Sequence, residues 1–177
     1  MKLKPEDYKG WEQYTQIHKG PLSHEGGVRL LSAVLLMTKM YAEEVGEEKA
    51  FDLFQRWAAV FNMSGVRYVM ERDGITGRTP LDFIKTMGQW DEEIGDRWEI
   101  IEESPDKIRH YIHNCIYRDA CERVGIDISR WGTCERSIPE TCNPIASALS
   151  PDLTWQPLGC QDKPGSCLFE IFYTKKA

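Results

Sequence analysis

The sequence has no basic excess: its 177 residues carry 22 Lys and Arg against 28 Asp and Glu, a net charge of −6. That balance argues against a general nucleic-acid binder. It has no apolar run long enough to span a bilayer. The longest, Val28 to Met37, is interrupted by Arg29 and Ser32 and reads as a buried helix. No apolar stretch follows the charged residues Lys2, Lys4, Glu6 and Asp7, so no signal peptide is expected and the expected location is cytoplasmic. No C-x-x-C pair occurs among the six cysteines. The usual zinc-site signature is therefore missing, and free thiols are expected in place of a disulfide framework. There are no internal repeats and no low-complexity segment. What these absences leave is a chain long enough for one domain with a real core, or for a domain with a helical appendage. No nucleic-acid or membrane partner is expected, and no cofactor or metal. The pattern does not specify an oligomeric state.

Residues 1–27 are rich in Gly, Pro, His and aromatics and read as an irregular arm, in which His18 and His24 are exposed loop histidines. Residues 28–177 read as one α+β domain, helical over 28–94 and sheet-containing over 96–174. Val28 to Val45 is a helix stopped by Gly46, and a second helix runs from Glu47 to Arg72. Phe51, Phe54, Ala58, Phe61, Gly65 and Tyr68 recur at three-four spacing in the second, an apolar stripe read as core. Thr79 and Pro80 supply an N-cap and a first helical proline for a third helix ending near Ile94. From Asp96 the period changes. Trp98 to Glu102 and Lys107 to Asn114 form a hairpin around Pro105. Cys115 to Val124 and Pro139 to Leu149 are helices. Leu153 to Leu158 and Cys167 to Tyr173 form a second hairpin, with Pro157 confining its strand to an edge or an irregular place. Both faces of the last strand are mostly apolar, so it should be central and covered. The fold class is α+β, with N-terminal helices on an antiparallel sheet of two hairpins and helices between them.

Chemistry concentrates between Asp106 and Cys142, which hold four of the six cysteines and two of the four histidines. Strand side chains alternate between faces. Ile108, His110 and Ile112 then share one face, and Arg109, Tyr111, His113 and Cys115 the other. The second row ends where a helix begins, and a helix N-terminus favours anions, including a thiolate. A lowered thiol pKa at Cys115 is the expectation.

The second half resembles the L-2-amino-thiazoline-4-carboxylate hydrolase family. The features that carry the resemblance are Ile112, His113, Asn114 and Cys115 leading into a helix with Ala120, Cys121 and Gly125; Glu140, Thr141 and Cys142; Ser150, Pro151, Asp152 and Leu153 before a strand; and a closing Gly165, Ser166, Cys167, Leu168, Phe169, Glu170. The closing pattern is also similar to 4-vinyl-reductase-type small-ligand domains. The first resemblance implies a hydrolase that opens a cyclic amidine-like ring bearing a carboxylate, at a C–N or C–S bond. It implies Cys115 as nucleophile, His113 as its base, Arg109 as the carboxylate clamp, and Tyr111, Cys142 and Cys167 around the substrate. A second route leaves the cysteines to shape the pocket while Glu140 activates water. The other resemblance implies a binding or sensing domain without turnover.

Plainer roles compete for each residue. Free cysteine often packs as a small hydrophobe. His110, between two isoleucines, suits a hydrogen-bonded core histidine. Arg109 suits a cross-strand pair with Glu99 or Glu102. A transition-metal site from Cys115, Cys134, Cys142 and a histidine would need a spacing that no single loop closes.

Overall fold

The computed structural model describes residues 22–127, 143–159 and 166–174. Three long helices come first: α1 (His24–Val45), α2 (Glu47–Asp73) and α3 (Pro80–Ile94). They are followed by β1 (Arg97–Ser104), β2 (Lys107–His113), α4 (Ile116–Arg123), α5 (Asn143–Leu149), β3 (Leu153–Gly159) and β4 (Ser166–Tyr173). The strands form one antiparallel sheet in the order β1-β2-β4-β3. This is the expected α+β arrangement of two hairpins, joined through their inner strands.

The first helix begins at His24, four residues before the expected start, so residues 24–27 are not part of an irregular arm. Ser23 caps it, its hydroxyl accepting the Gly26 N–H at 3.1 Å. Two glycines in the first turn hide the helix from a propensity reading. Gly27 is there for close approach: a Cβ would lie 2.0 Å from the Ile94 carbonyl oxygen. The ends of α1 and α3 can meet only without that side chain. Gly65 on α2 plays a similar part, since the Trp90 indole lies where its Cβ would be. Thr79 and Asp82 close a reciprocal capping box at the head of α3.

On β2, Ile108, His110 and Ile112 face the helices, as alternation predicts. On β4 the same face carries Cys167, Phe169 and Ile171. With Phe83, Ile84 and Met87 of α3, Val66 and Val69 of α2, and Trp155 of β3 they make the main core. A second core joins α1, α2 and α4 through Val28, Leu35, Phe51, Phe54, Ile116 and Ala120. β4 is central, as expected, but the described helices cover one of its faces. Leu168, Glu170 and Phe172 on the other are partly exposed, and that face is ionic in part. β3 is an edge strand whose register shifts between Pro157 and Gly159, where the proline cannot donate to the ladder.

Candidate functional site

A cavity of about 190 Å³ opens between the two cores. Its wall draws Met87, Ile112, Trp155 and Phe169 from one core and Phe54 and Ile116 from the other. Along α2 the rings of Phe54, Trp57 and Phe61 follow one another, with centroids 5.7 and 5.1 Å apart, and Tyr117 stacks on Phe54 at 5.7 Å. The aromatic stripe of α2 therefore does more than fill a core: part of it walls the cavity. Asn62, also in the wall, accepts a hydrogen bond from the Trp90 indole at 3.0 Å.

Two carboxyls line this largely apolar space, Asp91 near the end of α3 and Asp96 just before β1. Asp91 is 8% exposed. It follows Ile84 and Met87 on the buried face of its helix, where an apolar residue would be usual. Burial, then the neighbouring Asp96 and Glu92, push its pKa well above the ordinary range. Asp96 accepts the Ile116 N–H at 2.7 Å. Burial raises its pKa to about 7, against the pull of that hydrogen bond and of His24. His24 is no loop residue: its ring is held by the Gly95 carbonyl at 3.1 Å and by Asp119 at 2.8 Å.

The expected row of Arg109, Tyr111, His113 and Cys115 does not exist as one face. The strand ends at His113, and Asn114 takes a left-handed backbone (φ 50°) that turns the chain. Asparagine is one of the few residues with a side chain that tolerates this region. Past the turn, Cys115 lines the cavity on the helix side of the sheet. His113 stays on the opposite face, its ring bonded to Ser166 Oγ at 2.7 Å and to Glu99 at 3.0 Å and stacked on Tyr111. It is not placed to serve Cys115 as a base. Arg109 is paired with Glu170 at 2.9 Å and Glu102 at 3.0 Å, the cross-strand alternative, and does not reach the cavity wall. Cys167 is a buried core residue opposite Ile112. Glu140 and Cys142, with Cys134 and Cys160, lie outside the described residues.

The electrostatic expectation for Cys115 is reversed as well. It is the N-cap residue of α4, and the N–H groups of Arg118 and Tyr117 do pull its pKa down. Burial and the neighbouring Asp96 outweigh them and push it well above the ordinary thiol value. A helix terminus lowers a thiol pKa only where desolvation does not exceed it. His110 is buried as expected, but without the expected hydrogen bond. It packs against the Trp155 and Phe169 rings with Nδ1 unpartnered, and burial lowers its pKa to about 4.

Among the described residues the cavity wall contains no Lys, Arg or His, and no three His, Cys, Asp or Glu side chains stand close enough to hold a metal ion. No described helix is long and apolar enough to cross a membrane. What the wall can do is enclose a small flat molecule and offer it two acids and a protonated thiol. Comparison with protein-family models, with curated proteins and with solved structures finds no match for this chain.

Proposed function

We propose that this chain is a small-molecule hydrolase whose reaction takes place in the cavity, with Asp96 and Asp91 moving the protons and Cys115 contributing to the wall. The observation that carries the reading is a pair of carboxyls, Asp91 and Asp96, lining one largely apolar space, where burial raises the pKa of Asp96 to about 7. Such a group is half ionised at neutral pH and able both to take and to return a proton. Asp96 would take a proton from water as its oxygen attacks the carbon of a C–N or C–S bond. Asp91, held protonated by burial, would give its proton to the departing nitrogen or sulfur. This keeps the reaction class implied by the thiazoline-hydrolase resemblance and replaces its cysteine route. The resemblance's carboxylate clamp is not supported, because Arg109 is spent on Glu102 and Glu170.

A second reading, a ligand-binding domain without turnover, is favoured by the mostly apolar, aromatic character of the wall. Incubation with a panel of thiazolines, carbamoyl amino acids and small cyclic amidines, followed by mass spectrometry, separates the two. A mass change with wild type that is lost in Asp96→Asn supports the hydrolase. Thermal stabilisation by a panel compound with no mass change supports the binding domain.

A further inference from the structure

The apolar run of residues 28–37 suits a helix buried on every side, yet α1 is buried on one side only. Val28, Ser32, Leu35 and Thr38 face the interior. At 3.6 residues per turn, Arg29, Ala33, Leu36, Met37, Met40 and Glu44 fall in one row along the outer side. All six are exposed, with Leu36 at 46%, Met37 at 63% and Met40 at 67%. Leu30 and Tyr41, also exposed, flank the row. Large apolar side chains exposed singly are ordinary, whereas a contiguous row of them with polar ends marks a contact surface.

The charges at the two ends of the row say what covers it. At the N-terminal end Arg29 and Arg123 share one carboxylate, Glu25, each at 2.8 Å. Two guanidiniums there meet a single acid. At the other end stand Glu43 and Glu44, and the last turn of the helix holds no basic residue. These glutamates sit at the negative end of the helix dipole, where a cation is the usual choice. The row is thus positive at one end, apolar in the middle and negative at the other. Turned end for end, such a surface is complementary to itself. A two-fold axis passing between positions 36 and 37 sets Leu36 opposite Met37, Ala33 opposite Met40, and Arg29 opposite Glu44 of the other copy. A small residue then faces a large one, as interdigitating helices require. The second copy also brings the positive end of its own helix to Glu44.

We propose that α1 is the contact surface of a homodimer, in which two copies of this chain pack antiparallel through this row. The proposal goes beyond the hydrolase reading and does not depend on it. One helix pair makes a small interface, so the expected dissociation constant is about 10 μM.

Analytical ultracentrifugation of the full chain between about 1 and 100 μM should show the mass rising from one chain towards two. Leu36→Glu and Met40→Glu each put a charge into the apolar middle and should hold the mass at one chain throughout. Both positions are exposed, so circular dichroism and melting curves taken at about 1 μM, where wild type is also monomeric, should be unchanged. Arg29→Glu or Glu44→Arg alone should weaken association about tenfold, because the axis repeats each like-charge contact. The two swaps together should bring it back to within about threefold of wild type, a rescue that only the antiparallel register produces. A single-chain mass for wild type at about 100 μM overturns the proposal. If Leu36→Glu then also lowers the melting temperature, the row is covered by a segment of this same chain. A dimer that survives both glutamate substitutions overturns it as well, and so do charge swaps that do not rescue each other.

Discussion

Asp96 caps the helix that Cys115 begins. The Asp96 carboxylate, twenty residues upstream, accepts the Ile116 N–H at 2.7 Å, while the Cys115 side chain makes no capping hydrogen bond of its own. The anion at the head of α4 is therefore a carboxylate from another part of the chain. Its negative charge, after burial, is what keeps the adjacent thiol protonated.

Cys115 should accordingly be a slow thiol. Each unit of upward shift removes about tenfold of thiolate. Iodoacetamide at pH 7.5, with peptide mapping of the labelled native protein, should modify Cys115 at least about tenfold more slowly than free glutathione. Asp96→Asn, by removing the negative neighbour, should speed it. Labelling of Cys115 as fast as glutathione would restore the nucleophile route.

Asp96 makes the fold less stable in alkali. A folded-state pKa raised from 3.8 to about 7 means that the native state holds the proton more tightly. Its stabilising effect is present below the unfolded value and is lost as pH rises through 7, at up to about 1.4 kcal/mol per pH unit. Asp91, also raised, acts in the same direction. Urea denaturation of wild type should give lower stability at pH 8 than at pH 6. Asp96→Asn, whose amide oxygen can still accept from Ile116, should flatten that slope. An unchanged slope would mean that Asp96 is not desolvated.

His110 governs the acid side. Its folded-state pKa of about 4 lies below the ordinary 6.5. The neutral, buried ring gives stability that is fully present above pH 6.5 and is lost as pH falls towards 4. In His110→Leu this loss should disappear, and stability at pH 7 should not fall, since an unpartnered ring nitrogen costs about 1–3 kcal/mol. Melting temperatures of both proteins between pH 4 and 7 decide it. Parallel curves would contradict the assignment.

Gly27 and its neighbour Gly26 should respond oppositely to alanine. At Gly27 the new Cβ would press on the Ile94 carbonyl, a backbone atom. Overpacking of this kind costs about 1–3 kcal/mol, and it would also distort the cavity, whose wall includes both residues. At Gly26 a Cβ meets only ordinary contacts, 3.4 Å or more away. Alanine there should be neutral or stabilising by up to about 1 kcal/mol. Equilibrium unfolding of the two variants gives the comparison directly.

The elements of the fold were legible because their signals are local. Thr79 and Pro80 mark a helix start whatever surrounds them, and Gly74, Gly95 and Gly125 all adopt the left-handed backbone that ends a helix. Pro157 marked an irregular edge strand because it lacks a donor for the ladder. The start of α1 was missed because Gly27 answers to Ile94, far along the chain, and local propensity cannot register that contact. A trace of the site was present too: Asp91 falls at a core position of its helix, an acid where Ile84 and Met87 set an apolar face.

By itself, the sequence determined the order and type of the elements, the pairing of the hairpins and the inward row of Ile108, His110 and Ile112, since each follows from period and turn chemistry. Only the tertiary structure decided which chemistry meets. One left-handed residue, Asn114, carries Cys115 across to the helix side of the sheet and leaves His113 behind. Desolvation then overrides the helix terminus at Cys115 and brings Asp96 to a neutral pKa. Burial is a property of the packed globule, and it reversed the charge state that local position alone implied.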